Sequence, residues 1–292
     1  MTGRGARVRR VVLFVLAFVV LVALWEGYKA VGPAAGGKLF GWRILPRSEN
    51  SAMPHVWDVL RRFSRPELRG NSRTIFSVVV AGVWFTMRIA LTGFALGVVV
   101  GLALAMLMAR SRVAERGLLP FVILSQTVPL IALAPLVGTW GGKLKFGAFE
   151  WQKWMSAAVI SAFLAFFPVA VGGLRGLKSA SKESLELMNS YAANGRQTLF
   201  KLRFPSAVPY LVPALKLAAA AAVVGTIVAE ISAGVRGGVG RLIISYSSES
   251  TSDPAKKFTA VLGAVVVGLA LAALVALIDL VLMRHRPKEQ AT

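Results

Sequence analysis

Apolar and polar residues fall along this chain in long blocks rather than at short period. Six blocks hold about 20 mostly apolar residues each, the length a helix needs to cross a hydrocarbon core of about 30 Å. They lie roughly at Val11–Val31, within Ile75–Met108, and at Leu118–Trp140, Trp154–Gly173, Pro209–Ser232 and Phe258–Met283. The second block is too long for one span, so its early part is expected to form a separate helix on or in the membrane. The pattern predicts an all-α fold, a polytopic membrane helix bundle of about six transmembrane helices. It divides the chain into an N-terminal helix with an extracytoplasmic linker (residues 1–75), a transmembrane core (76–284) and a short tail (285–292).

Orientation follows from where Lys and Arg gather, because cytoplasmic connections carry the excess. Arg4, Arg7, Arg9 and Arg10 put the N-terminus in the cytoplasm, and six spans return Arg110–Arg116, Arg175–Arg203 and Arg284–Lys288 to that side. Both termini are therefore expected to be cytoplasmic. One stretch runs against the rule: the outer segment Lys38–Arg73 contains Arg61, Arg62, Arg65, Arg69 and Arg73. An amphipathic helix around Val56–Phe63, lying along the surface, accounts for part of that charge. The first apolar block is read as a retained helix rather than a secretory signal. No small-residue cleavage site follows it, and it runs into Trp25-Glu26-Gly27-Tyr28, as at an aromatic interface belt.

Composition agrees with the blocks. The chain is 56% hydrophobic and 16% charged, whereas soluble domains carry about 25% charged residues. The net charge of +21 belongs to helix ends and loops, so nucleic acid is not an expected partner, and membrane lipid is. There is no cysteine, and His55 and His285 are far apart, which leaves no material for a disulfide or a metal site. The spans lack His and Cys and hold few acids, so no nucleophile–base set for an enzyme is found. Gly172–Ser179 ends like a phosphate-binding loop, but Leu177 stands where glycine must precede the lysine. Gly234–Gly240 is glycine-rich without dinucleotide spacing. No cofactor is expected on this chain, and any ATP must bind another.

Within the spans, Gly93, Gly97 and Gly101 share a helix face and are read first as helix packing. Pro129, Pro135 and Pro168 should kink their helices. Ser125, Gln126 and Thr127 are polar at mid-span, fitting either a solute path or helix–helix hydrogen bonds. Glu230, late in the fifth span, is a candidate for the pathway or its outer gate, or else an interfacial carboxylate near Arg236 or Arg241. Arg88 is read at the outer interface, and Asp279 as an interfacial partner of Arg284.

The basic connection from Arg175 to Pro209 reads as two short helices. Ser181 is a candidate N-cap, with Glu183 near the positive helix end. Leu185, Met188 and Ala192 form an apolar stripe. Asn194 and Gln197 have capping-box spacing. Leu199 and Leu202 then share a face, as do Phe200 and Phe204, and Pro205 is expected to stop the helix. Such a hairpin should either dock onto a partner or pack on its own bundle.

This hairpin resembles the EAA loop of permease subunits from ATP-binding-cassette importers. Glu186, Ala192, Leu202, Phe204 and Pro205 stand at the family's spacings. Leu187-Met188 replaces the paired alanines, and Ala192 stands where glycine is usual, with Gly195 nearby. Gln126–Pro135, Phe166-Phe167-Pro168, Lys201–Leu211 and Val228-Ala229-Glu230 resemble the branch importing nitrate, sulfonates, taurine or vitamin precursors. The polar insert Gly141–Lys153 is longer than that branch leads one to expect.

The resemblance implies a permease in a bacterial inner membrane. It forms the solute path and is coupled to a separate ATPase through loop 181–205. The coupling residues would be Glu186, Tyr191, Ala192, Ala193, Asn194, Gly195, Arg196, Leu199, Leu202 and Pro205, and the pathway candidates Gln126, Thr127, Pro129 and Glu230. It also implies a second permease (another copy of this chain or a paralogue), an extracytoplasmic solute-binding protein, ATP on the partner, and a small organic anion or vitamin precursor as solute. The alternative is a secondary transporter, which needs coupling-ion sites and usually inverted repeats, neither of which is visible here.

Overall fold

The computed structural model describes residues 3–39, 42–68, 72–147 and 149–283. The expected tail 285–292 and the basic stretch Arg284–Lys288 lie outside them. The helices follow the apolar blocks. They are α1 Gly3–Val31, α2 Val56–Arg62, α3 Ile75–Arg110, α4 Arg112–Ser125, α5 Leu130–Gly141, α6 Lys153–Leu177, α7 Lys182–Ser190, α8 Gly195–Thr198, α9 Phe204–Ser232, α10 Val239–Ser248 and α11 Pro254–Met283. A π-helical turn, Leu199–Arg203, joins α8 to α9. Two small antiparallel hairpins complete the set: β1 Gly37–Leu39 with β2 Trp42–Leu45, and β3 Lys145–Phe146 with β4 Phe149–Glu150. The second makes the turn of the 141–153 insert.

Among the described residues, α3, α6, the run Gly195–Ser232 and α11 are long and apolar enough to cross a membrane. The pair α4–α5 is a fifth candidate if counted as one span, and α1 carries the first apolar block. The protein is an all-α polytopic membrane helix bundle.

Three local expectations change. The block at Ile75 is a single 36-residue helix, not two, because no proline interrupts it. At 1.5 Å per residue it reaches about 54 Å, so it must tilt or project beyond the hydrocarbon. The third block is broken, α4 and α5 meeting at 100°. Pro129 there has no N–H to give and disfavours helical geometry at Val128. Pro205 does not stop a helix. It lies in the first turn of α9, where a missing N–H costs little, and the π turn before it leads straight into the span.

The chain divides into two compact units, one of Met1–Val79 and Ile243–Val261, the other of Val80–Leu242 and Leu262–Thr292. In the first, the last turns of α1 hold the segment that follows. Lys29 Nζ donates to Asn50 Oδ1 at 2.6 Å, Tyr28 Oη to the Pro46 carbonyl at 2.8 Å, and Trp25 Nε1 to the Pro54 carbonyl at 3.1 Å. Glu26 accepts from the Val56 N–H at 2.8 Å and so caps α2. Part of the basic charge in 38–73 is paired here: Arg62 meets Asp253 at 2.6 Å. Tyr246 Oη donates to Glu67 at 2.9 Å, and the buried Lys256 donates to Glu249 at 2.5 Å.

In the second unit, α6 and α9 pack face to face through small residues. Ala207, Ala214, Ala218, Ala222, Gly225 and Ala229 are buried along one face of α9. Ser161 Oγ on α6 donates to the Ala222 carbonyl at 2.9 Å. Lipid supplies no hydrophobic force between helices, so such close backbone approach is what binds them. The stripe on α3 serves the same end: a Cβ added at Gly97 would lie 2.6 Å from Ala165 Cβ on α6. Gly172, Gly173 and Gly176, which mimic a phosphate loop in sequence, lie in the close contacts of α6 with Ala214, Ala105 and Ala207.

Candidate functional site

The hairpin after α6 is held by local hydrogen bonds. Ser181 Oγ accepts from the Ser184 N–H at 3.2 Å, capping α7. Its hydroxyl also faces Glu183; that residue's own N–H, and next the Ser181 hydroxyl, hold the carboxyl below the ordinary glutamate value. At the other end of α7, the Ala192 N–H donates to the Asn189 carbonyl (2.9 Å) and the Ala193 N–H to the Met188 carbonyl (3.0 Å). These two bonds define a Schellman close, whose C′ residue takes the left-handed conformation and is usually glycine. Ala192 occupies it with φ 52°, the only non-glycine residue at positive φ among those described. The family spacing that matched Ala192 to a glycine therefore matches a backbone demand as well.

The next helix opens with a reciprocal box. The Gln197 N–H donates to Asn194 Oδ1 at 2.9 Å, and the Asn194 N–H to Gln197 Oε1 at 2.8 Å. Caps at both ends of so short a hairpin fix which side chains face out. Leu187, Tyr191 and Phe200 are 57%, 78% and 64% exposed. Glu186, Ala192, Gly195, Arg196 and Pro205 are exposed too, while Leu185, Met188, Ala193 and Leu202 are half-buried. Leu199 turns inward onto the buried cluster containing Leu174, Leu177 and Ala207. Phe200 stacks on Phe204 with ring centres 5.7 Å apart.

The pathway candidates fall at two places. Gln126, Thr127 and Pro129 form the break between α4 and α5. The Thr127 and Ser125 hydroxyls donate to the carbonyls of Leu124 and Val122, so they satisfy their own segment rather than another helix. Non-helical backbone at membrane depth is tolerated only inside protein or along a wet cavity.

Glu230 is wholly buried near the end of α9. Thr86 Oγ1 on α3 donates to its Oε1 at 2.7 Å, and the Gly240 N–H to its Oε2 at 2.8 Å. Thr86 Oγ1 in turn accepts from the Val239 N–H at 2.9 Å. The carboxylate and hydroxyl thus close the N-terminus of α10, where the helix dipole favours negative charge. Neither Arg236 nor Arg241 is its partner. A Cβ at Gly238 would collide with the Glu230 carboxylate, and one at Gly240 would come within 2.7 Å of the Ile227 carbonyl.

Sequence reasoning missed Thr86, whose role depends on a partner 144 residues away. It also missed Lys216, which pairs with Asp279 at 2.6 Å, tying α9 to α11. The available signal was two lone opposite charges, one in each of two spans.

Residues 93–288 match the family described as binding-protein-dependent transport system inner membrane component. The chain belongs to this family. A formylaminopyrimidine transport permease protein, ThiX, of Halalkalibacterium halodurans is 36% identical over 124 residues, 42% of this chain and 46% of that one. A riboflavin transport system permease protein, RibX, of Chloroflexus aurantiacus is 30% identical over 103 residues, 35% of each. The matched stretch thus spans less than half the length of these curated relatives. The fold is similar to that of a chain in a solved structure of inward facing conformations of the MetNI methionine ABC transporter. The TM-score is 0.59 at 19% identity, covering 71% of this chain and 97% of that one. The inner-membrane-component match takes in the hairpin, the Gln126–Pro129 break and Glu230; α1 and α2 lie before it. Families and relatives of this kind are transport permeases, not enzymes.

Proposed function

We propose that this chain is the permease subunit of an ATP-binding-cassette importer of a bacterial inner membrane, with both termini cytoplasmic. The observation that carries the reading is the doubly capped hairpin on a family member, offering Leu187, Tyr191 and Phe200 to a partner. A separate ATPase takes that surface, with Glu186, Ala192–Arg196, Leu199, Leu202 and Pro205 shaping or framing it. ATP binds there and not on this chain. Closure of the ATPases moves the hairpins of two permeases (two copies of this chain, or this chain and a paralogue), and differential docking biases a two-state bundle. An extracytoplasmic binding protein delivers the solute. The broken segment Gln126–Pro129 lines the path, and Glu230 holds its outer end. The cargo is a small organic anion or vitamin precursor; the formylaminopyrimidine and riboflavin permeases among the relatives support the vitamin side of that class.

Co-purification with an ATP-binding-cassette ATPase from the same organism, followed by uptake in proteoliposomes, tests the reading. Tyr191→Asp and Phe200→Asp each set an unpaired charge in the docking surface. The expected loss is about 2 kcal/mol of binding or more, roughly 30-fold, with the permease itself still monodisperse. Unchanged complex formation, or uptake driven by an ion gradient without ATP, refutes it.

A further inference from the structure

The start of α4 and the end of α6 enclose a shallow open pocket of about 380 Å³, lined by Arg112, Glu115, Arg116, Leu119, Pro120 and Lys178. Lys178 is paired with Glu115. Arg112 and Arg116 are exposed and make no hydrogen bond or ion pair among the described residues. The pocket therefore keeps two uncompensated guanidinium groups, one turn apart on the same helix face. Guanidinium matches phosphate oxygens in a planar two-point geometry, which a lysine ammonium does not.

What lies further along that face decides between a soluble anion and a lipid. Leu119 and Pro120 floor the pocket, and one turn on, Ile123 is 51% exposed. The helix strip thus passes from cationic to apolar within three turns, at the start of a segment that, with α5, is apolar enough to count as a span. Its order matches an amphiphile, with phosphate at Arg112 and Arg116 and acyl chain along Leu119, Pro120 and Ile123. We propose that this pocket binds the headgroup phosphate of an anionic phospholipid, and that the α4 N-terminus is anchored by it at the membrane surface. Basic pockets between transmembrane helices hold such headgroups. The site is separate from the exposed hairpin residues Leu187, Tyr191 and Phe200, so the inference stands apart from the proposed coupling role.

Native mass spectrometry of the delipidated full-length chain reads the binding directly. The probes are cardiolipin, phosphatidylglycerol, zwitterionic phosphatidylcholine and inorganic phosphate. The expected result is retention of the anionic lipids over phosphatidylcholine, reduced about tenfold in Arg112→Gln/Arg116→Gln. Lys182→Gln/Lys201→Gln, which removes equal charge from the hairpin, should change it less than twofold. Glu115→Gln removes the one acidic group and should strengthen retention, a gain that misfolding cannot produce. Equal loss in both double variants would overturn the proposal in favour of diffuse surface charge. Displacement of the lipid by millimolar inorganic phosphate would overturn it in favour of a soluble anion, and weaker retention in Glu115→Gln would overturn the pocket itself.

Discussion

Ala192→Gly should stabilise the hairpin. Ala192 sits at φ 52°, where an L side chain crowds the following carbonyl at a cost of about 1–2 kcal/mol. Glycine removes that crowding but gives back about 0.5–1 kcal/mol through the greater freedom of the unfolded chain. The net gain is about 0.5–1 kcal/mol, which lowers the open population of the hairpin about 2- to 5-fold. Local opening is read by amide hydrogen exchange, using protection factors so that the altered intrinsic rate beside glycine is removed. The reporters are the N–H groups of Ala193 and Asn194, bonded to the Met188 carbonyl and Gln197 Oε1. Both should slow in the glycine variant, while amides in α6 serve as an internal standard. Ala192→Val must move the other way, because a β-branched residue is a severe outlier at positive φ. If glycine leaves protection unchanged, or valine equals alanine, the residue is not held left-handed and the Schellman reading falls.

Substitutions at three further places probe the bundle. Thr86→Val deprives Glu230 Oε1 of a donor and the Val239 N–H of an acceptor; each orphaned group costs about 1–3 kcal/mol. The apparent Tm in detergent should fall by several degrees, and Thr86→Ser should restore most of it. Gly97→Leu cannot fit against Ala165 and the Ala162 carbonyl, so α3 should part from α6 and monodispersity in size-exclusion chromatography should be lost. A smaller enlargement at the exposed neighbour, Leu96→Phe, should be tolerated. Lys216→Met strands the Asp279 carboxylate beside lipid and should destabilise more than the double variant Lys216→Met/Asp279→Leu, since a lone charge costs more than an absent pair. Additive losses would show that the two residues do not act together.

Legibility in the sequence follows the range of the interaction. The apolar blocks mark α1, α3, α6, α9 and α11 because hydrocarbon thickness acts on each segment alone. Ser181 and the Asn194–Gln197 box are legible for the same reason, since each capping side-chain bond closes within three residues. Pro205 misleads because its helix-stop signal is local, and the π turn that lets the chain run on into α9 has no residue signature. The Schellman close was hidden by its own occupant. Alanine gives no sign of a left-handed turn, and only the distances to Glu186 and Pro205 pointed there.

Glu230 and the glycine run after it show the remaining loss most clearly. In sequence they read as two unrelated features, an acid stranded in a span and a failed nucleotide motif. In the fold they are one. The carboxylate fills the space that side chains at Gly238 and Gly240 would need, and those glycines bring the Gly240 N–H within reach of it. An acid closing an apolar span, followed eight residues on by Gly-x-Gly and an amphipathic helix, is thus a pattern for a carboxylate-capped helix start. The first half is visible as an expensive charge in search of a donor, and the second as a helix start without a Ser, Thr, Asp or Asn to cap it. Each lacks what the other supplies. Thr86 is the part that no such pairing could have found, because a threonine in an apolar helix carries no cost that demands a partner.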